Sequence, residues 1–283
     1  MLKQRVLTAI ALLMVLLPAL FYPSPEPFCV VALVLMAAAA WEWGRMNGMG
    51  AAQAFLPSAA CVFLCALSWS KWGLGHSTSV LWVLTGGFWV LAGAWLMARG
   101  VPVWASIPKG VRLVCGVMLL TLAWQAVAQA RAVGINFLLS AMALVWVADI
   151  AAYFAGRTWG GKWIHRKLAA SISPGKSWEG ALGGAAGVGA LAVVWSFMDA
   201  RMNAVTPSLY TVLLHKGAGM LVLGVVFMVT MSVIGDLLES LVKRSAGVKD
   251  SSKLLPGHGG VLDRVDALLP TLPLAMMLYT LII

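Results

Sequence analysis

GAGMLVLGVVFMVTMSVIG, residues 217–235, runs for 19 positions without a charged or amide side chain. A helix rises 1.5 Å per residue and the hydrocarbon core of a bilayer is about 30 Å thick, so this run has the length of a membrane span. The rest of the chain shares its character. Of 283 residues, 61% are hydrophobic and 11% charged, and the mean hydropathy is +0.90. An ordinary soluble domain carries about 25% charged residues, and no soluble fold of this size hides so much apolar surface. A water-soluble enzyme, a disordered chain and a free nucleic-acid binder are thereby excluded. The expected fold class is an all-α polytopic integral membrane protein.

Working outward, eight more apolar runs lie at roughly 6–22, 28–43, 54–70, 79–98, 111–130, 135–154, 180–197 and 267–283, which makes about nine transmembrane helices. The first follows Lys3 and Arg5 as a secretory signal would, but it has no small-x-small cleavage site and reads as a span. Pro270 and Pro273 predict a kink in the last. The connections test this count. With the N-terminus inside, 16 of the 20 Lys and Arg fall on cytoplasmic segments; only Lys71, Arg131, Arg201 and Lys216 fall opposite. That asymmetry is the positive-inside pattern of an N-in/C-out protein. About five spans then fill residues 1–130, and 131–283 forms a C-terminal transmembrane region with cytoplasmic loops 155–179 and 236–266, where any catalytic chemistry is expected. Cys29, Cys61, Cys65 and Cys115 lie in apolar runs and read as small hydrophobes; GALGGAAGVG at 180–189 reads as close helix packing.

Carboxylates locate the chemistry. Of ten in the chain, Asp236, Glu239, Asp250, Asp263 and Asp266 lie within 31 residues, interleaved with Lys243, Arg244, Lys249, Lys253 and Arg264. A solvated loop with surface ion pairs explains the polarity but not the order. Asp236, Glu239, Ser240, Lys243 and Arg244 recur at helical spacing, so a helix continuing past residue 235 presents them as one polar stripe. His258-Gly259-Gly260 follows, then Asp263 and Asp266, spaced to share a helix face and reach one cation. Carboxylates bind hard divalent ions and basic side chains bind phosphate oxygens. Together they equip a site for metal-assisted phosphoryl or nucleotidyl transfer.

The loop 155–179 complements this one, with Arg157, Lys162, Arg166, Lys167 and Lys176 against Glu179 alone. Its Gly175-Lys176-Ser177 is not a P-loop, since Ala170 stands where that motif needs glycine. Asp149 lies inside the sixth span, where an acid is costly and by default faces a polar cavity; Tyr153 and Arg157 follow on the same face. His76 and His215 read as interfacial and His165 as a surface residue, which leaves His258 as the histidine of interest.

Residues 240–266 read SLVKRSAGVKDSSKLLPGHGGVLDRVD. This closely resembles the signature of the phosphatidate cytidylyltransferase family: S-x-x-K-R, then K-D, then H-G-G-x-x-D-R-x-D. Asp149, Ala152-Tyr153, Gly156-Arg157, Ser173-Pro174-Gly175-Lys176 and Glu179-Gly180 also resemble the family. There, D-[ST]-G-A-Y is replaced by Asp149-Ile150-Ala151-Ala152-Tyr153, and Ser177 stands for the common threonine. The specific likeness covers about 149–266; before 130 it is confined to apolar spans.

The resemblance implies that CTP and phosphatidic acid give CDP-diacylglycerol and pyrophosphate, with Mg2+. On that basis Asp236 and Asp263 are the expected metal ligands, with Asp266 or Glu239 nearby. Lys243, Arg244, Lys249 and Arg264 would neutralise triphosphate, while Ser173 and Lys176 reach over from the other loop. His258 would orient phosphate or a metal-bound water; Ser240, Asp250, Gly259, Gly260 and Asp149 complete the expected substrate contacts. The expected partners are the two substrates and membrane lipid, with no nucleic acid; a homodimer is compatible with the sequence. The expected location is a bacterial plasma membrane, with the site on the cytoplasmic face. Two rivals remain: a CTP-using lipid kinase that would pass the γ-phosphate to a lipid alcohol, and a transporter. A transporter predicts charge near mid-bilayer on broken helices rather than in two loops.

Overall fold

In a computed structural model, residues 2–75 and 78–283 are described; His76 lies outside them. Nine of their helices are long and apolar enough to cross a membrane. They begin with α1 (Leu2–Phe21), α2 (Glu26–Met46), α3 (Phe55–Trp72) and α4 (Ser79–Arg99). A short α5 (Val101–Ser106) leads to α6 (Lys109–Val133), α7 (Ile135–Trp159) and α8 (Trp178–Arg201). After another short helix, α9 (Leu209–His215), come α10 (Ala218–Ser245), α11 (Leu262–Val265) and α12 (Leu268–Ile282), the last two together forming the ninth candidate span. No strand forms among the described residues; two isolated bridges, Ala169 with Ser173 and Leu255 with Gly259, pin the two polar loops.

The surface of the molecule is apolar as well as its core, where Trp82, Trp124 and Phe137 are buried. Leu91, Val193, Phe197 and Leu223 are each more than 60% exposed, as lipid-facing side chains should be. Between α7 and α8, helix contact relies on small residues. A Cβ on Gly183 would lie 2.1 Å from that of Ala155, and one on Gly187 would lie 2.6 Å from that of Ala151. The glycines of α8 therefore let α7 approach closely. The altered Ile150-Ala151 is accommodated here: Ala151 packs on Gly187 and Ile150 points outward, 57% exposed.

α10 is 28 residues long and continues unbroken through Asp236 to Ser245, which is the extension that the polar stripe required. The prolines near the C-terminus act earlier than a mid-span kink. The helix breaks at Asp266–Ala267, one turn before Pro270, whose missing N–H leaves the Asp266 carbonyl without its helical donor. Gly235 of α10 fits against that break; a Cβ there would meet the Asp266 carbonyl at 2.8 Å and Pro270 Cγ at 2.7 Å.

α9 has no counterpart among the predicted spans. Ser208 caps it, and Asp199 Oδ2 accepts from Ser208 N at 2.9 Å and Thr211 Oγ1 at 2.6 Å. Asn136 donates to Asp199 Oδ1 at 2.8 Å, so this buried acid is fully engaged in holding a short helix. α12 packs on α4 and α6 as well as on α10, and Thr8 of α1 donates to the Pro256 carbonyl at 3.0 Å. The N-terminal helices thus contact the C-terminal region at several points.

Candidate active site

The stripe on α10 meets both polar loops. Ser240 Oγ donates to Asp236 Oδ1 at 3.3 Å, and Asp236 Oδ2 pairs with Lys176 Nζ at 2.6 Å. That pair brings the loop after α7 onto α10. Lys176 is aimed by its surroundings: Leu168 N donates to the Lys176 carbonyl at 3.3 Å, and Ser177 caps α8 by accepting from Gly180 N at 3.1 Å. Glu179, 1% exposed, accepts from Trp163 N at 3.1 Å and Ile164 N at 2.8 Å, tying the far side of the loop to the start of α8.

Between α7, α8 and α10 lies a cavity of about 430 Å3, lined by Asp149, Tyr153, Arg157, Lys176, Ser177 and Asp236 among others. Asp149 faces it together with the exposed Arg157, whose Nη1 donates to Tyr153 Oη at 2.9 Å. Ser173 is not part of this lining. It sits in a turn, its N–H donating to the Ala169 carbonyl at 2.8 Å, and the cavity's hydroxyl is that of Ser177.

One helical turn further along α10, Lys243 bridges Glu239 and Asp263, at 2.6 Å from Asp263 Oδ1. Asp263 Oδ2 accepts three more hydrogen bonds, from Ser251 N and Ser251 Oγ at 2.9 Å each and from Gly260 N at 2.8 Å. Gly259 adopts φ +84°, a left-handed conformation that only glycine takes readily, and a Cβ there would meet Asp263 Oδ2 at 2.8 Å. The H-G-G turn is therefore shaped around Asp263.

The remaining expected residues are spread more widely. Arg244 Nε donates to the Ile172 carbonyl at 3.4 Å and so braces the first loop from α10. Arg264 donates from Nε and Nη2 to the His258 carbonyl, 2.9 Å for Nε, and His258 Nδ1 is buried without a partner. Lys249 and Asp250 line a different cavity, of about 710 Å3, beside Trp41, Arg45 and Lys253. Asp266 Oδ1 accepts from Ala267 N at 2.7 Å.

One acid in the site escaped the sequence reading. Glu42 of α2, 0% exposed, accepts from Ser252 Oγ at 2.5 Å and Val261 N at 2.9 Å on Oε1, and from Leu262 N at 2.7 Å and Ser251 Oγ at 3.1 Å on Oε2. Its signal was available: an acid embedded in AAAAWEWG is as anomalous as Asp149 in its span.

No three His, Cys, Asp or Glu side chains among the described residues group to cage a metal. The chemistry still suits Mg2+, which prefers oxygen donors and is commonly held by one or two carboxylates plus substrate phosphates. Asp236, with two partners, and Asp266, with one, carry such oxygens more freely than Asp263, which is engaged by Lys243, Ser251 and Gly260.

Known proteins resemble this chain along its length. The sequence model of the cytidylyltransferase family matches residues 3–282. A Pseudomonas aeruginosa protein named phosphatidate cytidylyltransferase is 35% identical over 277 residues, covering 96% of this chain and 95% of that one. A Haemophilus influenzae protein of the same name is 33% identical over 311 residues, 99% of both chains. A Brucella suis namesake is 45% identical over 146 residues, 52% of this chain and 46% of its own.

Proposed function

Because this chain belongs to the cytidylyltransferase family, we propose that it joins CTP to phosphatidic acid, giving CDP-diacylglycerol and pyrophosphate. The observation that carries this reading is the Lys176–Asp236 pair at 2.6 Å, which joins the loop after α7 to the polar stripe of α10 beside a cavity with Asp149, Tyr153 and Arg157 on its wall. Lys176 and Arg157 are the cations that would receive the triphosphate there. Lys243 is already shared by Glu239 and Asp263 and serves to hold the second loop in place.

The phosphate monoester of phosphatidic acid is anionic at neutral pH, so the site needs no strong general base. A lipid phosphate oxygen forms the new bond to the α-phosphorus in line, and the bond from that phosphorus to the α,β-bridging oxygen breaks. Pyrophosphate leaves carrying the electron pair. Asp236 and Asp266 would hold Mg2+, which would supply the charge neutralisation that this displacement requires. Asp236, also paired with Lys176, keeps that lysine aligned along the nucleotide. The polar loops face the cytoplasm of a bacterial inner membrane, the side on which CTP is found.

Labelled CTP tests the reading against its nearest rival. With phosphatidic acid as acceptor, label from the α-phosphate should enter the lipid and label from the γ-phosphate should leave as pyrophosphate. Lipid that gains only the γ label would mark a kinase and overturn the proposal.

A further inference from the structure

Glu42 is a charge buried in the protein, and no Lys or Arg forms an ion pair with it among the described residues. Burying a carboxylate is costly unless hydrogen bonds replace its water. Here four do so, and all four donors come from one stretch, Ser251 to Leu262. Each partner donates, so the position calls for a group that only accepts; an amide would set an N–H2 against other donors. The fit is close. A Cβ on Gly260 would lie 2.5 Å from Glu42 Oε1 and 2.0 Å from Ser251 Oγ, so the backbone approaches this carboxylate only because residue 260 is glycine.

The same stretch holds Asp263. Three successive N–H groups, those of Gly260, Val261 and Leu262, go to Asp263, Glu42 and Glu42 in turn. Ser251 Oγ stands 3.1 Å from Glu42 and 2.9 Å from Asp263, with a single hydrogen to share between them. A continuous chain of polar contacts therefore runs from Glu42 through Ser251 to Asp263, then to Lys243 and Glu239 on the α10 stripe.

We infer that Glu42, on a helix outside the signature segments, is a positioning residue for the transfer reaction: acting through Ser251, it sets Asp263 and the ammonium of Lys243 in place. The inference rests on the function proposed above. A carboxylate on α2 thereby makes the N-terminal helices part of the catalytic apparatus rather than an anchor alone.

Steady-state kinetics on the purified full chain in phosphatidic acid–detergent micelles test this, with Glu42→Gln, Ser251→Ala and the double variant. Glu42→Gln should lower kcat at least about tenfold while the KM for CTP stays within about threefold, since misplacement affects the reacting geometry more than nucleotide capture. Ser251→Ala should lower kcat several-fold. The double variant should be no slower than Glu42→Gln, because residues acting in series are not additive. A Glu42→Gln kcat within about twofold of the parent, or single effects that multiply in the double variant, would overturn the inference. Should Glu42→Gln fail to fold, a monodisperse Ser251→Ala protein with the parent's kcat would overturn it as well. A parent protein that makes no CDP-diacylglycerol counts against the function itself. An active parent with an indifferent Glu42→Gln counts against the positioning role alone.

Discussion

Lys176 is the residue on which nucleotide capture is proposed to depend most. Its ammonium is 2.6 Å from Asp236 and partly exposed to the cavity, so it is paired yet still available to an arriving phosphate. Replacing it with methionine keeps the length of the side chain and removes the charge. Lys176→Met should reduce kcat/KM for CTP by about 100-fold, on the order of 3 kcal/mol of lost charge-assisted hydrogen bonding. Initial rates across a CTP series check this; a change below fivefold would remove Lys176 from the nucleotide site. The sequence was uneven at this scale. Helical spacing alone was enough to place Asp236, Glu239 and Lys243 together, because one uninterrupted helix carries them. Loop residues had no such rule. Spacing could not show that Ser177 rather than Ser173 lines the cavity, or that Lys249 and Asp250 face a separate one. The apolar run around Glu42 marks it as anomalous, but spacing could not connect it to the site, because its partners lie more than 200 positions away.

Among the elements, α7 and α8 bear the tightest constraint. Lipid tails are as apolar as the helix faces, so close packing rather than water exclusion holds these two together. Gly183 stands where a Cβ would lie 2.1 Å from Ala155, next to the turn that presents Lys176. Gly183→Leu should separate the helices and destabilise the protein by about 1–3 kcal/mol, as overpacked cores are. A lowered midpoint for thermal unfolding in detergent, with activity lost in parallel, is the expected result. The glycine run at 180–189 was legible as a packing face from its composition. α9 was not, because seven residues are too few for an apolar period and its stability comes from the distant Asp199 and Asn136.

At the scale of the whole molecule, span count and charge asymmetry act together. Nine candidate spans among the described residues, with 16 of 20 basic residues on alternate connections, are the pattern from which the site is proposed to face the cytoplasm. A single cysteine at Arg166, in a background where the four native cysteines are replaced, should react with a membrane-impermeant maleimide in inside-out vesicles. One at Asn203 should react only in right-side-out cells. The reverse pattern would turn the protein over and separate the site from CTP. Composition alone made the architecture readable, since membrane burial leaves few alternatives to apolar helices. Transfer is proposed to occur where Lys176, from the loop after α7, meets Asp236 on α10. The most direct test is CDP-diacylglycerol formation by purified Asp236→Asn at saturating CTP, phosphatidic acid and Mg2+. The expected kcat is at least about 1000-fold below that of the parent, in a protein that remains folded. A kcat within tenfold of the parent would contradict this placement of the transfer.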